Sequence, residues 1–546
     1  MIKAIMATAR DRARLQEITG VLVRYGLQDL LRALGLAGLI DKLSSGHVRD
    51  DRPLPQRLCA ALEELGPAFV KLGQILSTRS DLFAPEWTEA LGQLNAGASP
   101  LPWSALEKQV SAALGDAPAN VFAWFDESPL ASGSMAQIHR ARLHDGDDVV
   151  VKIQRPGIEP VIRADLRLLH FLADSIEQQS DALARFRPAM LVRYLDTALQ
   201  QELDFCYEAA SGEEMRRNFA DDPQVVIPRI YWTWTRPTLM VQARLSAAAP
   251  LESRQLAAAG LDGPLLARRG AAAFIKMLFD YRLYHADPHP GNVMALADNR
   301  VGFIDFGMVG QLSETRRNEL LSLLYAISER DAGGIVDALI AWSDRDFLNI
   351  AELDLAANYF LQRQGSRTMQ LGKALTDMLA TAREFSLSLP PDLVLLFKAL
   401  ITADGVLLRM DPRFDIIAVL RPQLKQQLLR RYGRVASRRR LVTLGNRLLD
   451  SGDSLPQTLR LVMQRLRHGR LHADITVGNL DQLGKSLERA ASTLALAIVL
   501  GATVLALTPW LLGLHWTLLG VPVIPVMLTL CGVVGSGWLI WRLWSR

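Results

Sequence analysis

Cysteine is scarce in this chain, and its distribution argues against two common kinds of site. The 546 residues contain three cysteines, Cys59, Cys206 and Cys531, and none of them shares a C-x-x-C spacing with another. Zinc sites and disulfide frameworks need cysteines in pairs or clusters at short spacing. We therefore expect neither, and we expect the soluble part of the protein to lie in a reducing compartment.

The chain also lacks a strong excess of charge of one sign. Lysine and arginine number 61 against 57 for aspartate and glutamate, which gives a formal net charge of +4. Nucleic-acid-binding surfaces concentrate basic residues and often interleave them with aromatic ones, and no run of that kind occurs here. We therefore expect no nucleic-acid partner. At this length the chain should form two or more structural units.

Charged residues are absent altogether from one long segment. Asp, Glu, Lys and Arg are missing from the 52 residues between Ala490 and Trp541. One helical crossing of a bilayer needs about 20 residues, so the segment is long enough for two. Prolines and glycines in its middle separate two predicted spans, at 490–509 and 519–541. A buried helical hairpin in a soluble core is the alternative.

The flanks of this segment predict its orientation. Lys485 and Arg489 precede it and Arg542 and Arg546 follow it, so both ends should face the cytoplasm. The first residues lack the apolar run of a cleavable signal peptide. We expect a cytoplasmic body with a C-terminal hairpin in the cell inner membrane.

The stretch YHADPHPGNVM, Tyr284 to Met294, has the composition of a phosphoryl-transfer site. Asp287 and Asn292 have the D-x-x-x-x-N spacing of kinase catalytic loops, and Asp305 opens a D-F-G 18 residues after Asp287. Phosphoryl transfer needs a carboxylate at the nucleophile and oxygen ligands for magnesium. The pattern predicts Asp287 as the catalytic carboxylate and Asn292 and Asp305 as Mg²⁺ ligands beside ATP. A structural Asp-Pro turn before an unrelated strand is the alternative.

A lysine upstream fits the same chemistry. The run VVVKIQRP places Lys152 at the end of a β-rich segment, as in the V-A-I-K element whose lysine meets the α- and β-phosphates. An acidic partner should follow on a helix, and QQELDFCYEA offers Glu202, Asp204 and Glu208. For each of these residues, an exposed position on a solvated face is the alternative.

The glycine-rich phosphate loop of ordinary kinases is missing. The segment before Lys152 is PLASGSMAQIHRA, with the single glycine Gly133, and no Walker A motif occurs anywhere in the chain. Alanine keeps a Cβ atom where glycine would let the backbone approach closely. The sequence therefore predicts nucleotide handling that differs from that of an ordinary kinase.

Five motifs occur in a fixed order: FVKLGQILSTRSDLFAPEW, the Ala-rich loop, ELDFCYEA, HADPHPGN and IDFG. Together they resemble the UbiB family of atypical kinase-like ATPases, which are linked to ubiquinone biosynthesis. The similarity covers about residues 55–430, and the charge-free C-terminal segment resembles that of bacterial members. One departure is Gly133, because many members have alanine there.

The resemblance implies a role for each matched residue. The K-x-G-Q motif of a helical extension that covers the nucleotide site matches Lys71, Gly73 and Gln74. The E-x-D motif that meets this extension matches Glu202 and Asp204. The catalytic set is Asp287, Lys71 and the kinase Lys–Glu pair, Lys152 and Glu208. The metal ligands are Asn292 and Asp305. The nucleotide loop comprises Leu130, Ala131, Ser132, Gly133, Ser134, Met135, Ala136, Gln137 and Ile138.

These observations predict an α+β fold, bilobal and protein-kinase-like, with an N-terminal helical extension and a C-terminal transmembrane hairpin. The expected divisions are an N-terminal helical segment and linker at 1–54, the extension at 55–120, the N-lobe at 121–248, the C-lobe at 249–440, a helical connector at 441–488 and two transmembrane helices at 489–541.

The expected function is ATP turnover with Mg²⁺, coupled to access to membrane-embedded precursors of isoprenoid quinones. The expected partners are these precursors, the lipid bilayer and other ubiquinone-biosynthesis proteins. Two alternatives remain open: a kinase acting on a small molecule or lipid, and a non-catalytic protein that binds ATP and isoprenoids.

Overall fold

The structure is a computed structural model, and most of what it describes lies before residue 425. The described residues are 9–33, 51–94, 98–179, 187–342, 350–364, 370–385, 387, 389–422, 424, 517–518 and 521–522. The chain separates into two units, Met1–Arg439 and Arg440–Arg546. The candidate site lies in the first unit.

Helices precede the first sheet in the chain. They are α1 (Ala9–Arg24), α2 (Gln28–Ala33), α3 (Leu54–Leu65), α4 (Pro67–Ser77), α5 (Pro85–Gly92), α6 (Trp103–Leu114) and α7 (Pro118–Val121). Gly66 separates α3 from α4, because its φ of 99° suits glycine and Pro67 then begins the next helix. Leu22, Leu62 and Val70 of these helices pack in one buried cluster.

The N-lobe sheet follows the alternation of its sequence. Its strands are β1 (Phe122–Phe125), β2 (Ala131–Ser132), β3 (Ala136–Leu143), β4 (Asp148–Gln154) and β6 (Leu239–Ala243), in the order β1-β3-β4-β6 with β2 paired to β3. Val149, Val151 and Ile153 face a core shared with α6, because side chains on a strand alternate between faces. Lys152 therefore lies on the opposite face, across from Ile138 of β3.

The sequence also predicts a β-hairpin in the stretch VVIPRIYWTWTRPTLMVQAR, and this hairpin forms irregularly. Single antiparallel bridges join Ile230 to Gln242 and Arg236 to Leu239, and the stretch contributes β6 to the N-lobe sheet. Its first residues form β5 (Val225–Val226), which pairs in parallel with a strand of the other lobe. Pro228 ends this strand after two residues, because it has no N–H to donate to a ladder.

Three helices connect the N-lobe strands: α8 (Ile158–Gln179), α9 (Pro188–Leu203) and α10 (Phe205–Asn218). Ile162 of α8 and Leu195 of α9 pack in the same cluster as the extension helices. Arg14 of α1 donates to the buried Asp165 carboxylate of α8 at 2.6 Å. The N-terminal helix is therefore held to the lobe by both apolar packing and a buried ion pair.

The C-lobe is mainly helical around short strands. Its strands are β7 (Leu283–His285), β8 (Val293–Leu296), β9 (Arg300–Phe303) and β10 (Val309–Gln311). Its helices are α11 (Ser253–Ala258), α12 (Gly263–Lys276), α13 (Glu314–Glu329), α14 (Ala332–Trp342), α15 (Ile350–Arg363), α16 (Leu371–Glu384) and α17 (Pro391–Met410). Trp342 and Phe397 meet edge to face at 5.8 Å in its core. This rigid packing fixes α17, which borders the site.

The predicted transmembrane hairpin has no support in the described residues. None of the helices among them is both long enough and apolar enough to cross a bilayer. Most of the predicted spans 490–509 and 519–541 lies outside the described residues. The exception is Val521–Pro522, which forms the strand β12 and pairs with β11 (Thr517–Leu518), between the two predicted spans. The prediction of helix at Val521–Pro522 is therefore wrong, and the adjacent Gly520 and Pro522 are residues that disfavour helix.

Close backbone packing in the C-lobe gives a testable prediction. A Cβ atom on Gly263 would lie 2.4 Å from the Met410 carbonyl oxygen, where α12 meets the end of α17. We expect Gly263→Ala to lower the free energy of unfolding by about 1–3 kcal/mol, because backbone cannot move aside as a side chain can. Urea unfolding of the full chain in detergent measures this change.

The matched control is Gly405→Ala in the middle of α17. Gly405 has open space around its Cβ position, so alanine should raise the unfolding free energy by about 0.5–1 kcal/mol through helix propensity. Equal effects of the two substitutions would contradict the packing described here.

Candidate active site

An ion pair between strand and helix lies at the centre of the site. The Lys152 Nζ donates to both carboxylate oxygens of Glu208, at 2.7 and 2.9 Å, and lies 3.8 Å from the Asp305 Oδ1. The Phe205 ring lies 5.5 Å from the same ammonium. The structure thus brings together the predicted Lys–Glu pair and the aspartate of the D-F-G.

Above about pH 7, where Glu208 is ionised, the charges of this cluster are unequal, because one ammonium faces two carboxylates. Burial raises the pKa of Glu208 to about 7, although Lys152 opposes the change. Burial also opposes the charge on Lys152, but the Asp305 and Glu208 carboxylates outweigh it and raise the pKa of Lys152. The Lys152 ammonium holds the pKa of Asp305 below its usual value. The excess of carboxylate favours a further cation at this place.

The catalytic loop is held by a histidine. His285 is fully buried, its Nε2 lies 3.0 Å from the Ile304 carbonyl oxygen, and its Nδ1 accepts from the Asp287 N–H at 3.2 Å. Burial lowers the pKa of His285, which keeps the ring neutral. A neutral ring with its proton on Nε2 satisfies both bonds. His285 therefore connects Asp287 to the strand that leads into Asp305.

The two predicted metal ligands lie on neighbouring segments. The Asn292 carbonyl accepts from the Ile304 N–H at 3.0 Å, which places Asn292 beside the residue that precedes Asp305. The Asn292 side-chain amide nitrogen donates to the Asp287 carbonyl oxygen at 3.1 Å, so the side chain has its oxygen to offer. Asp305 has a φ of 61°, a left-handed conformation that costs about 1 kcal/mol outside glycine. Backbone strain of this kind is concentrated at functional sites.

These residues fit Mg²⁺. The ion prefers oxygen ligands, usually takes one or two from protein carboxylates, and completes its shell with phosphate and water. The Asp305 carboxylate is half exposed and lies in a cluster with excess negative charge. Within the described residues, no group of three or more His, Cys, Asp or Glu side chains could hold a metal. Asn292 and Asp305 would thus hold the ion together with phosphate oxygens.

The helical extension meets the site through Lys71. Its ammonium forms an ion pair with Glu202 of α9 and lies 3.3 Å from the Met308 sulfur, just after the D-F-G. A Cβ atom on Gly73 would lie 2.1 Å from the buried Leu94 side chain, which explains the need for glycine in K-x-G-Q. Gln74 is half-buried and lines the cavity described below.

Asp204 has a different position from the one predicted. It lies at the N-terminus of α10, is exposed, and accepts from the Cys206 N–H at 2.9 Å. Such a cap satisfies one of the free N–H groups of a helix start. Of the E-x-D pair, Glu202 reaches Lys71, whereas Asp204 fixes the first turn of the helix that carries Glu208.

The predicted nucleotide loop is a tight hairpin. Ala131 pairs with Ile138 and Ser132 with Gln137, and the Gly133 N–H donates to the Ala136 carbonyl at 2.8 Å. Not all nine side chains can contact a nucleotide. The Met135 side chain is buried in the cluster of the extension helices, Gln137 is fully buried, and Leu130 is about half exposed.

Side-chain hydrogen bonds of Gln137 and Arg155 hold this hairpin to residues 99–101 of the extension. The Gln137 side chain accepts from the Leu101 N–H at 2.5 Å. The Arg155 guanidinium donates to the Gly133 and Ser99 carbonyls and to the Ser132 hydroxyl, each at 2.8 Å. Side-chain hydrogen bonds thus hold this loop in one conformation, whereas the glycine-rich loop of ordinary kinases is flexible.

A cavity of about 290 Å³ adjoins Asp287. Its lining combines apolar side chains with four charged ones: Ile75, Leu94, Leu191, Tyr194, Leu395, Lys71, Arg79, Asp287 and Lys398. The Lys398 Nζ of α17 lies 3.4 Å from the Asp287 Oδ1. The extension helix α4 forms one wall, so it restricts what can reach Asp287.

Sequence reasoning missed His285, Arg155 and Lys398. His285 and Arg155 lie inside the quoted stretches HADPHPGN and VVVKIQRP, so these stretches were a signal for them. Lys398 comes 111 residues after Asp287 in an ordinary amphipathic helix, and no local pattern identifies it. Only the packing of α17 against the catalytic loop reveals it.

The raised pKa of Glu208 predicts how stability depends on pH. Between 4.5, its ordinary value, and about 7 the unfolded chain has lost this proton while the folded chain keeps it. Glu208 therefore contributes stability that is lost as the pH rises through this window, by about 1 kcal/mol per pH unit. We expect Glu208→Gln to remove this decline in nucleotide-free protein. Urea unfolding in detergent, repeated across the window, measures it.

Glu213→Gln, on the same helix, is the matched control. The Arg216 guanidinium holds the pKa of Glu213 below its usual value, so this substitution should leave the decline in place. An unchanged slope in Glu208→Gln would show that Glu208 is ionised throughout the window.

Family models match at three places: the ABC1 atypical kinase-like domain at 93–339, the UbiB helical domain at 362–415 and the ABC1/UbiB kinase-like C-terminal domain at 478–545. A probable protein kinase UbiB of Aliivibrio fischeri (strain MJ11) is 32% identical over 85% of this chain and 87% of its own length. One of Xylella fastidiosa (strain 9a5c) is 33% identical over 94% and 96%.

Among solved structures, the complex of Rv3197 with erythromycin from Mycobacterium tuberculosis is 23% identical, with a TM-score of 0.45. It covers 70% of this chain and 96% of that chain. The family matches and the two relatives give the identification: the chain belongs to the ABC1/UbiB family of atypical kinase-like proteins.

Proposed function

We propose that this protein is a kinase-like ATPase that uses ATP and Mg²⁺ and supports isoprenoid quinone biosynthesis at the cytoplasmic face of the cell inner membrane. The observation that carries the proposal is the ion pair between Lys152 and Glu208, with Asp305 beside it. In kinases this pair and the D-F-G aspartate must both be in place for phosphoryl transfer.

The residues divide the chemistry between them. Lys152 binds the α- and β-phosphates of ATP. Asn292 and Asp305 would hold Mg²⁺, which would neutralise phosphate charge when bound. Asp287 accepts the proton of the attacking hydroxyl or water. The bond from the γ-phosphorus to its bridging oxygen breaks, a new bond to the acceptor oxygen forms, and ADP leaves.

The acceptor is small. The cavity at Asp287 measures about 290 Å³, at the lower end of small-molecule sites, and α4 forms one of its walls. A polypeptide substrate would have to displace the ion pair of Lys71 with Glu202. Water or one hydroxyl group is therefore the acceptor, and turnover is coupled to access to a lipid precursor.

The proposed membrane location and the proposed role in quinone biosynthesis are supported by other features. The charge-free segment of 52 residues between Ala490 and Trp541 supports contact with the bilayer. The likeness to proteins named UbiB supports a role in ubiquinone biosynthesis, with quinone precursors and other proteins of that pathway as partners.

Two other functions are alternatives. A small-molecule or lipid kinase would use the same residues and the same cavity, and its product would carry the phosphate. A non-catalytic protein that binds ATP and isoprenoids would not need Asp287 ordered by His285 within a loop that also places Asn292. The ordering of this loop favours the catalytic functions.

Phosphate release by the purified full-length protein in liposomes tests the proposal. We expect Asp287→Asn and Asp305→Asn each to lower the rate about 100-fold or more, because one removes the proton acceptor and the other a metal ligand. An added quinone precursor should raise the wild-type rate. Asp298→Asn, in an exposed turn, is the matched control and should retain activity.

The products separate the alternatives. Free phosphate without a phosphorylated lipid supports the ATPase, and a phosphorylated precursor supports the lipid kinase. Tight ATP binding without turnover in any lipid would contradict both and favour the binding protein.

A further inference from the structure

A lysine from outside the catalytic loop contacts the catalytic carboxylate. The Lys398 Nζ lies 3.4 Å from the Asp287 Oδ1, and both side chains line the cavity next to Lys71. Lys398 sits on α17 between Phe397 and Ala399, which are fully buried. The backbone of Lys398 is therefore fixed by the core of the C-lobe.

The catalytic loop itself has no lysine or arginine that could lie beside the Asp287 carboxylate. Its residues from Asp287 to Asn292 are DPHPGN, without lysine or arginine. The ring nitrogen Nδ1 of His289 accepts from the Gly291 N–H at 2.9 Å, so that ring serves the turn. In the part of the chain that the structure describes, Asp287 forms an ion pair with Lys398.

The other two lysines of the site have different partners. Lys152 is held by Glu208 and Asp305, at the nucleotide side, and Lys71 is held by Glu202. The transferring phosphoryl group passes between the nucleotide and the nucleophile at Asp287, and its three equatorial oxygens carry negative charge. The Lys398 ammonium, beside Asp287, therefore lies where the phosphoryl group meets the nucleophile.

The ammonium can serve both neighbours at once. It has three donors on a flexible stem, so one can hold the Asp287 carboxylate while the others meet phosphoryl oxygens. As a purely structural ion pair it would contribute little, because the Lys398 and Asp287 side chains keep 31% and 30% of their surface exposed. The partial exposure toward a cavity suits a group that meets a substrate.

We propose that Lys398 is a catalytic residue that contacts the transferring phosphoryl group and holds Asp287 toward the acceptor. This inference rests on the proposed phosphoryl-transfer function. Under this proposal, α17 contributes to catalysis through Lys398 and to the C-lobe core through residues such as Phe397.

The first test compares steady-state kinetics of ATP turnover in the full-length protein. We expect Lys398→Met to lower kcat about 10- to 100-fold while the KM for ATP changes less than about threefold, because the contact forms in the transition state. Lys398→Arg, which keeps the charge, should recover part of the loss. Lys373→Met removes an exposed lysine of α16 and should behave as wild type.

The second test needs no turnover. Binding of ADP with Mg²⁺ is measured by calorimetry with and without aluminium fluoride, which mimics the transferring phosphoryl group. Wild type should bind ADP about tenfold or more tightly with the fluoride, and Lys398→Met should lose this gain at unchanged affinity for ADP alone.

The outcomes distinguish this inference from the proposed function. If Lys398→Met kept a normal kcat and still bound ADP more tightly with aluminium fluoride, this inference would be overturned. The proposed function would stand. Failure of wild-type turnover would overturn the proposed function, and the fluoride comparison would still decide the part of Lys398. Absence of any fluoride gain in wild type would overturn the inference as well.

Discussion

The ion pair between Lys152 and Glu208 is the interaction on which the rest of the site depends. Burying a charge is costly unless it is paired, so the strand and the helix that supply these residues must meet at a fixed place. Asp204 caps the first turn of α10, and the β3–β4 register sets Lys152 opposite Ile138. With Asp305 beside them, one ammonium balances two carboxylates. A magnesium ion would relieve this imbalance.

The second constraint is the extension. Gly73 lets α4 pack closely against Leu94, and this packing carries Lys71 to Glu202 and Met308. The same helix forms one wall of the cavity at Asp287. Closure and chemistry are therefore coupled through one helix: a movement of α4 would alter both the charge near the D-F-G and the space for an acceptor. Under the proposed function, a lipid that favours one position of α4 would change turnover in this way.

Much of this arrangement follows from local sequence. The β3–β4 hairpin and the catalytic loop could be predicted because alternation, turn residues and motif spacing act over short range. The hairpin predicted around Pro228 forms irregularly, because its first residues, β5, pair with a strand 76 residues away in sequence. Lys398 was missed because its position beside Asp287 depends on how α17 packs against the catalytic loop. No local sequence pattern indicates that packing. The positions of the motifs' side chains, such as buried Met135 and Gln137, also depend on tertiary contacts.

The central claim is that the cluster of Lys152, Glu208 and Asp305 is a magnesium-dependent nucleotide site. The most direct test is calorimetric binding of ATP to the full-length protein, with Mg²⁺ and then with a chelator. We predict one nucleotide per chain with Mg²⁺, and a loss of affinity of about tenfold or more without it, because the excess carboxylate repels unneutralised phosphates. Equal binding in both conditions, or none in either, would contradict the account.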